Sequence, residues 1–588
     1  MKSLLTTAVF SAALLSAALV HGIRAEPQSD SDFALTSVDV FDGETMHQRV
    51  TLLVRDGKVA ALGADVSVPE DMKVIDAAGH TLLPGLIDAH VHTFGQARSD
   101  ALRFGVTTML DMFTSPQMLP GAREQREQFS ATDQADLYSA GMLATAEGGH
   151  GTQFGVPVEP VNGPDDAAGW VQERIAEGSD YIKIIVEDGS THGGRNIPTL
   201  DAATVRALVE AAHDNGLMAL AHVSTLADAI MTVEAGVNGL VHVFHDQPAS
   251  DEFLDLAVER DLFVVPTAIV FGAMIGAVDS SDLIEHPELG GLLSAEQRQT
   301  LGQARQGSDS AAATWQTVKD NISALHETGI PLLAGSDAPN PGTAHGISLH
   351  RELEVLVAAG LDEIEALQAA TATPARHFDL AGRGCLEPGC RADMLLVKGD
   401  PLEDITATRR IDRVWKNGLP VAIEPARSAG AGLQRDTDSL LAPDEQAHWQ
   451  AASDDFMGGS STARIRFEEQ EVLIVEGELS TAPFPPYSGA MWMPGESPMQ
   501  PVDIGDRTRL EVEVQGTQGP WQVMVFSGSG GAGRPLMLDL EATDTGARLD
   551  TDLATHSGID TDKLQAIGVF AVGDPREVSF RVHRVSLQ

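Results

Sequence analysis

The sequence predicts an α/β protein made of a (β/α)8 barrel, a discontinuous small β-sandwich beside it and a C-terminal all-β domain. Three observations predict this class. Short apolar strands alternate with helical patterns over roughly 300 residues in the middle of the chain, as in repeated βα units. Strand-like segments flank this stretch on both sides. From about residue 445 onwards, strands alternate with Gly- and Ser-rich gaps, which favours a β-sandwich.

The first 25 residues are predicted to be a secretory signal peptide. Lys2 precedes an apolar stretch from Leu4 to Val20, and small residues follow up to Ala25, where cleavage is expected. No later stretch of the sequence is apolar for long enough to span a bilayer. We therefore expect a periplasmic or secreted protein that is not inserted in the membrane after cleavage.

The charge and the cysteine content limit which classes of binding partner and which cellular compartment are expected for this protein. The formal net charge is −46, with 85 acidic against 39 basic residues, which argues against nucleic acid or an anionic membrane as a partner. The two cysteines, Cys385 and Cys390, flank a Pro-Gly turn. In an oxidising compartment they could form a disulfide, and two free buried cysteines are the alternative.

The small β-sandwich is predicted to be composed of two distant pieces. Residues 33–82 contain short alternating strands separated by turn signals. Similar strands recur in residues 382–425. We expect the two pieces to form one domain that is interrupted by the barrel, residues 83–381.

Eight strands are predicted within the barrel stretch. They lie at residues 90–92, 107–111, 138–141, 181–185, 219–222, 239–242, 263–267 and 331–337. Eight strands over this length suit a closed (β/α)8 barrel better than an open sheet. Helical patterns intervene, for example at 201–215 and 362–372, and residues 274–309 are predicted to be a helical insertion near the site.

Metal-binding side chains recur at the predicted strand ends, where a barrel carries its active site. They are His90, His92, His222, His242 and Asp337. His90 and His92 point to the same face of their strand, about 7 Å apart at ~3.3 Å per residue, and imidazole is a common zinc ligand. A single strand-end histidine is usually a hydrogen-bonded core residue, but agreement at several strand ends predicts a metal site.

Lys183 is a charged residue inside an apolar strand. A buried ammonium group is costly unless it is neutralised or paired. Carboxylation by carbon dioxide would turn it into an anionic ligand that can bridge two metal ions. A salt bridge to Glu187 or Asp188 is the alternative, and the sequence leaves both open.

Several motifs together resemble those of the amidohydrolase superfamily, in its imidazolonepropionase-like and metallo-dipeptidase or prolidase branch. The matching elements are residues 84–92, the strand-four Lys183, the strand-end His222 and His242, a Gly-Gly-His-Gly segment at 148–151, and residues 335–338, 369–375 and 387–393. The resemblance covers roughly residues 33 to 420. It implies a TIM barrel that carries a metal-dependent hydrolase.

The resemblance also implies a ligand set with two divalent metal ions, zinc being expected. The implied ligands are His90, His92 and Asp337 for one ion, His222 and His242 for the other, and carboxylated Lys183 as the bridge. Metal binding lowers the pKa of water to ~7, and Asp337 is the expected catalytic base and then acid. His150 and His245 are expected to bind substrate, with residues 192–195 and 340–345 as further lining groups.

The expected activity is hydrolysis of an amide or peptide-like C–N bond by metal-activated hydroxide. A dipeptide, an N-acyl amino acid or a cyclic amide would be the substrate, so the partner is a small molecule or short peptide. A mononuclear deaminase and a lactone or ester hydrolase are the enzymatic alternatives. The non-enzymatic alternative is a glycan- or peptide-binding protein with a degenerate barrel. The sequence does not determine whether the protein forms a homo-oligomer.

The C-terminal region, residues 445–588, follows a polar linker at 426–444. Residues 453–461 resemble the opening motif of complex-I-intermediate-associated-protein-30-like domains, which are galactose-binding-like jelly rolls. For Trp449, Trp492 and Trp521, packing in a core is favoured over stacking on a sugar.

Overall fold

The computed structural model describes most of the chain beyond the first 31 residues. The described residues are 32–130, 133–152, 158–191, 197–303, 309–423, 438–442, 445–453, 461–468, 472–480, 486–494, 502–516, 520–527, 535–542, 546–556 and 559–588. The expected signal peptide at 1–25, the loop at 192–195, linker residues 426–437 and 443–444, and most of the 453–461 motif lie outside them.

The part before the barrel consists of five strands. They are β1 Phe33–Phe41, β2 Met46–Arg55, β3 Lys58–Gly63, β4 Lys73–Asp76 and β5 His80–Pro84. In β1 and β2 buried and exposed side chains alternate for part of the length, as expected for strands with one face on a core.

Strands and helices then alternate through the next 300 or so residues, in the way that parallel βα units require. They are β6 Leu86–Val91, α1 Ala97–Arg103, β7 Val106–Asp111, α2 Leu119–Glu127, β8 Asp136–Ser139, β9 Leu143–Ala144, α3 Ala167–Glu177, β10 Ile182–Ile185, α4 Ala202–Asp214, β11 Ala219–His222, α5 Leu226–Ala235, β12 Gly239–Val241, α6 Asp251–Glu259, β13 Phe263–Val265, α7 Ala268–Ile275, α8 Ala295–Leu301, α9 Asp309–Glu327, α10 Ile347–Ala358, α11 Glu363–Ala369 and α12 Ala372–His377.

Helix α4 shows why these segments are helical. Its N-cap, Asp201, accepts a hydrogen bond from the Thr204 backbone N–H, which satisfies one of the free donors of the first turn. Buried Val205, Leu208 and Ala212 recur at the spacing of one helical face, which packs on the strands. Helix α8 and two short 3-10 turns occupy the tract predicted as a helical insertion.

The parallel strands form two sheets, β6–β7–β8 and β9–β10–β11–β12–β13. Residues 331–338 hydrogen-bond to both sheets: Val264 N donates to Pro331 O (2.9 Å), and Asp337 N donates to His90 O (2.8 Å). A buried cluster includes side chains from five strands and from residue 333, so the strands surround a common core. Its members include Ile87, Leu110, Leu220, Val241, Phe263 and Leu333.

After the barrel segment the chain returns to the first strands. Strands β14 Met394–Lys398, β15 Ile411–Lys416 and β16 Leu419–Pro420 join them in one sheet of order β16–β15–β14–β5–β1–β2–β3, and β4 pairs with β1. As the sequence predicts, strands of the two distant pieces lie together, and hydrogen bonds join them in one continuous order. Strand β1 pairs with β4 at Phe33 and with β5 at Val40, so the two strands pair with different parts of β1. Cys385 and Cys390 form a disulfide in the loop before β14.

The C-terminal region is all-β. It contains β17 Trp449–Ser453, β18 Thr462–Glu468, β19 Val472–Leu479, β20 Tyr487–Trp492, β21 Arg509–Gln515, β22 Trp521–Ser527, β23 Leu536–Asp539, β24 Glu541–Ala542, β25 Gly546–Asp552, β26 Leu564–Val572 and β27 Arg576–Leu587. Two antiparallel sheets, β17–β20–β26–β22–β23 and β18–β19–β27–β21–β25–β24, enclose one core. Trp449, Trp492 and Trp521 are buried in that core. In the described part of the chain, no helix has the length and apolar character needed to cross a bilayer.

A buried ion network joins the composite sheet to the barrel. Lys416 of β15 is fully buried and its Nζ donates to Asp136 Oδ2 of β8 (3.0 Å) and to Asp393 Oδ2 (2.8 Å). Arg383 also pairs with Asp136 (2.7 Å). Burial opposes ionisation of Asp136, but Lys416 and Arg383 outweigh it and hold the pKa of this carboxyl below its usual value.

We expect Asp136→Asn to lower the free energy of unfolding by about 3 kcal/mol or more, because it leaves Lys416 and Arg383 buried with a partner removed. Since the folded-state pKa of Asp136 lies below the unfolded value, the difference from the parent should be full above pH ~4 and should disappear as the pH falls further. Urea unfolding at several pH values measures it. Arg410→Gln removes an exposed ion pair to Asp404 and should change stability by less than about 1 kcal/mol; an equal effect of both variants would contradict the assignment.

Candidate metal centre

Five histidine rings form a continuous chain at the carboxyl ends of the barrel strands. The ring centroids lie 5.3 Å apart for His90 and His92, 4.8 Å for His90 and His242, 4.4 Å for His222 and His242, and 4.9 Å for His150 and His222. His90 lies in β6 and His92 directly after it; the other three rings come from the residue after β12, the last residue of β11 and the loop after β9. The fold therefore brings together residues that are widely separated along the chain.

Asp337 lies against this chain of rings. Its Oδ1 is 3.0 Å from His92 Nε2 and 3.4 Å from His90 Nε2, and its Oδ2 is 4.0 Å from His242 Nδ1. His90, His242 and Asp337 each offer a ligand atom, and these atoms lie within 4.8 Å of one another. The ring of His242 is thus about as near to the ring of His90 as to that of His222. The ligands expected for the two metal ions therefore lie next to each other.

The donor set fits a divalent metal ion. Both ring nitrogens of His90 and Oδ1 of Asp337 are buried and have no hydrogen-bond partner among the described residues. Each such atom costs about 1–3 kcal/mol when it is left without a partner. Imidazole nitrogens and a carboxylate oxygen are the ligands that zinc takes, and a bound cation would satisfy Asp337 Oδ1 together with one of the two ring nitrogens of His90.

Lys183 is buried on β10 within electrostatic range of Asp337 and Asp111. Burial lowers the pKa of its ammonium group to about 7, against the opposing effect of these two carboxylates. Among the described residues no carboxylate lies within salt-bridge distance of its Nζ. Glu187 instead accepts hydrogen bonds from Ser224 Oγ and the Gly189 N–H, so the alternative of a Lys183 salt bridge to Glu187 or Asp188 is not seen there.

Asp111, at the end of β7, belongs to the candidate site but is not among the site residues predicted from the sequence. It is fully buried. Its Oδ2 accepts hydrogen bonds from the Thr93 N–H (2.5 Å) and the Thr93 hydroxyl (2.6 Å), and its Oδ1 accepts one from the Ser139 hydroxyl (2.8 Å). These bonds fix the chain directly after His92. Its position at a predicted strand end could have identified Asp111 as a site residue, because the same feature identified the histidines.

Asp88 ties the first barrel strand to the segment that carries Asp337. Its carboxylate accepts hydrogen bonds from the Ser336 N–H (2.9 Å) and hydroxyl (2.6 Å). Burial raises the pKa of Asp88 to about 7, with these hydrogen bonds opposing the rise. At Gly335 a Cβ would lie 2.9 Å from the Cβ of His90, so only glycine allows this close approach.

The other predicted substrate-binding residues lie in different places. His150 lies beside His222 in the chain of rings. His245 is packed on Phe271, with ring centroids 3.9 Å apart, and is not one of the rings in that chain. From the 340–345 loop, His345 Nε2 contacts the carbonyl oxygen of His92 at 3.0 Å, so this loop supports a ligand candidate.

Three non-glycine residues at the strand ends adopt left-handed backbone conformations. These are His242 (φ 74°), Thr267 (φ 47°) and Asp337 (φ 49°). Such conformations cost of order 1–3 kcal/mol each and cluster at functional sites. Burial, together with nearby His222, lowers the pKa of His242 well below its ordinary value, so this ring is neutral and able to bind a metal.

Solved structures and known enzymes are similar to parts of the chain. A Xaa-Pro dipeptidase with bound methionine in its active site is 23% identical, covering 66% of this chain and 99% of that one with a TM-score of 0.53. Imidazolonepropionase from Deinococcus deserti is 25% identical over 404 residues, covering 63% of this chain and 91% of the relative. Dihydroorotase from Mycobacterium tuberculosis is 51% identical over only 45 residues, 8% of this chain and a tenth of that enzyme's length.

Two protein families match separate parts of the chain. Residues 439–558 match the complex I intermediate-associated protein 30 family. Residues 81–421, more than half of the 588, match the amidohydrolase family, and the similar solved structures support the barrel fold. The chain therefore belongs to the amidohydrolase family, whose name denotes hydrolases of carbon–nitrogen bonds.

Proposed function

We propose that this protein is an exported, metal-dependent hydrolase that cleaves an amide or peptide-like C–N bond in a small molecule or short peptide. The observation that carries the proposal is the convergence of His90, His242 and Asp337 at the strand ends, where buried ligand atoms of His90 and Asp337 have no hydrogen-bond partner among the described residues. Family membership supports the reaction class.

The proposed ligands fall into two adjoining groups. His90, His92 and Asp337 would hold one divalent ion, His222 and His242 would hold the other, and carboxylated Lys183 would bridge the two ions. When bound, these ions would activate a water molecule and polarise the scissile carbonyl. The burial of Lys183, without a salt bridge in the described part of the chain, supports carboxylation.

Asp337 is the proposed proton carrier. Its Oδ1 faces His92 and His90, which leaves Oδ2 to receive the proton from the attacking water and to return it to the leaving nitrogen. His150, beside His222, can donate a hydrogen bond to a substrate carbonyl or carboxylate. The proposed substrates are dipeptides, N-acyl amino acids and cyclic amides; the similarity to a dipeptidase and to dihydroorotase supports this range.

Two features support export. Residues 1–25 have the charge and hydropathy pattern of a signal peptide. The Cys385–Cys390 disulfide suits an oxidising compartment. In cells that produce the full-length chain, fractionation should place the product outside the cytoplasm with its N-terminus at residue 26; retention in the cytoplasm with an intact N-terminus would refute the proposal.

We expect the purified protein to contain divalent metal and to hydrolyse members of a panel of dipeptides, N-acyl amino acids and cyclic amides. His90→Ala should reduce both metal content and hydrolysis, the latter by more than about 100-fold, because it removes a ligand rather than a residue that only orients one. Elemental analysis and a hydrolysis assay measure the two effects.

The control is His213→Ala, which removes an exposed histidine that contacts Asn238. It should leave metal content and hydrolysis unchanged. A metal-free parent whose hydrolysis resists chelators would refute the metal-dependent reaction.

Carboxylation of Lys183 can be observed directly. Protein prepared with ¹³C-bicarbonate should show one carbamate ¹³C signal that is absent in Lys183→Ala, and this variant should lose at least one metal ion per chain. Lys398→Ala removes a half-exposed lysine and should keep both the signal and the metals. If Lys183→Ala retained the full metal content and activity, the bridging role would be wrong.

A further inference from the structure

The hydroxyl of Thr267 is directed at a proposed metal ligand. Thr267 is buried and follows β13, and its Oγ1 lies 2.6 Å from His242 Nδ1. Asp337 Oδ2 is 4.0 Å from the same nitrogen and thus beyond hydrogen-bond distance. Thr267 is therefore the hydrogen-bond partner of Nδ1.

The direction of this hydrogen bond follows from the one proton of the hydroxyl. Thr267 Oγ1 also lies 2.8 Å from the Pro266 carbonyl oxygen, which can only accept. When the hydroxyl donates to Pro266, its oxygen accepts from His242 Nδ1–H and both contacts are satisfied. In the opposite direction, the hydroxyl would donate to Nδ1 and the contact with the carbonyl would be lost. The arrangement with the proton on Nδ1 leaves Nε2 of His242 with a free lone pair.

Thr267 is available for this contact because another residue caps the helix that it precedes. Thr267 is the N-cap of α7, but its side chain makes no capping hydrogen bond. Glu352 of α10 accepts instead from the N–H groups of Ala268 (2.9 Å) and Ile269 (2.7 Å). These bonds hold Thr267 in its left-handed conformation, with φ of 47°.

We propose that Thr267 is a positioning residue that holds His242 in the tautomer with the proton on Nδ1, so that Nε2 is the atom offered to the metal ion. The metal-binding part of this inference rests on the proposed function. The tautomer part concerns the metal-free protein and stands by itself. Residues that orient a metal-binding histidine through its other ring nitrogen typically change metal affinity by about 10–100-fold when they are removed.

The test compares Thr267→Ala with Thr267→Ser in the full-length protein. Both substitutions remove the branched methyl group at the left-handed position, and only serine keeps the hydroxyl. Long-range ¹H–¹⁵N spectra of metal-free, ¹⁵N-histidine-labelled protein report the tautomer of His242, whose signal is identified by its absence in His242→Gln. Zinc affinity is measured by competition with a chelator. Thr328→Ala, which removes an exposed hydroxyl elsewhere, is the control.

The parent, the serine variant and the control should show protonated Nδ1, and the alanine variant a mixture of tautomers. Zinc affinity should fall about 10–100-fold in Thr267→Ala and be restored in Thr267→Ser. Protonated Nε2 in the parent, or an unchanged tautomer in Thr267→Ala, would overturn the inference, as would loss of affinity in both variants. If the parent bound no divalent metal, the proposed function would fail, while the spectra would still decide the role of Thr267.

Discussion

The site depends on the hydrogen bonds that residues 331–338 make with the strands on both sides. Only in this position can Asp337, which donates its N–H to His90 O, meet the histidines of β6. The same segment is hydrogen-bonded to β13 through Val264. The carboxylate of Asp88 holds Ser336, and the absence of a side chain at Gly335 allows contact with His90. The position of this one short segment thus determines whether Asp337 and the histidines at the strand ends lie next to each other.

The cost of this arrangement is electrostatic and conformational. Lys183, His242 and Asp88 are removed from water, and burial shifts the pKa of each of these three groups towards its neutral form. Left-handed backbone at His242, Thr267 and Asp337 adds strain. A core built for stability alone would use apolar residues here, so these groups are explained by the chemistry that they can perform.

Sequence patterns predicted the positions of the site residues better than their contacts. A polar residue that ends a buried apolar strand can be recognised locally, which is why His90, His222 and Asp337 could be picked out and are found close to His242. The role of Thr267 could not be predicted, because it depends on a neighbouring strand and on Glu352 from a distant helix. Likewise, local strand patterns do not reveal the order in which the strands of the two distant pieces pair, because that order depends on which edges meet in the fold.

The pairing of β5 with β14 has a consequence for biosynthesis. Leu83 pairs with Leu395, so one edge of β5 stays without its partner strand until roughly 300 further residues have been made. At ~5–20 residues per second this delay lasts roughly 15–60 seconds. An unpaired strand edge can pair with other chains during that time. The edge of β5 is therefore exposed to pairing with other chains until β14 has left the ribosome.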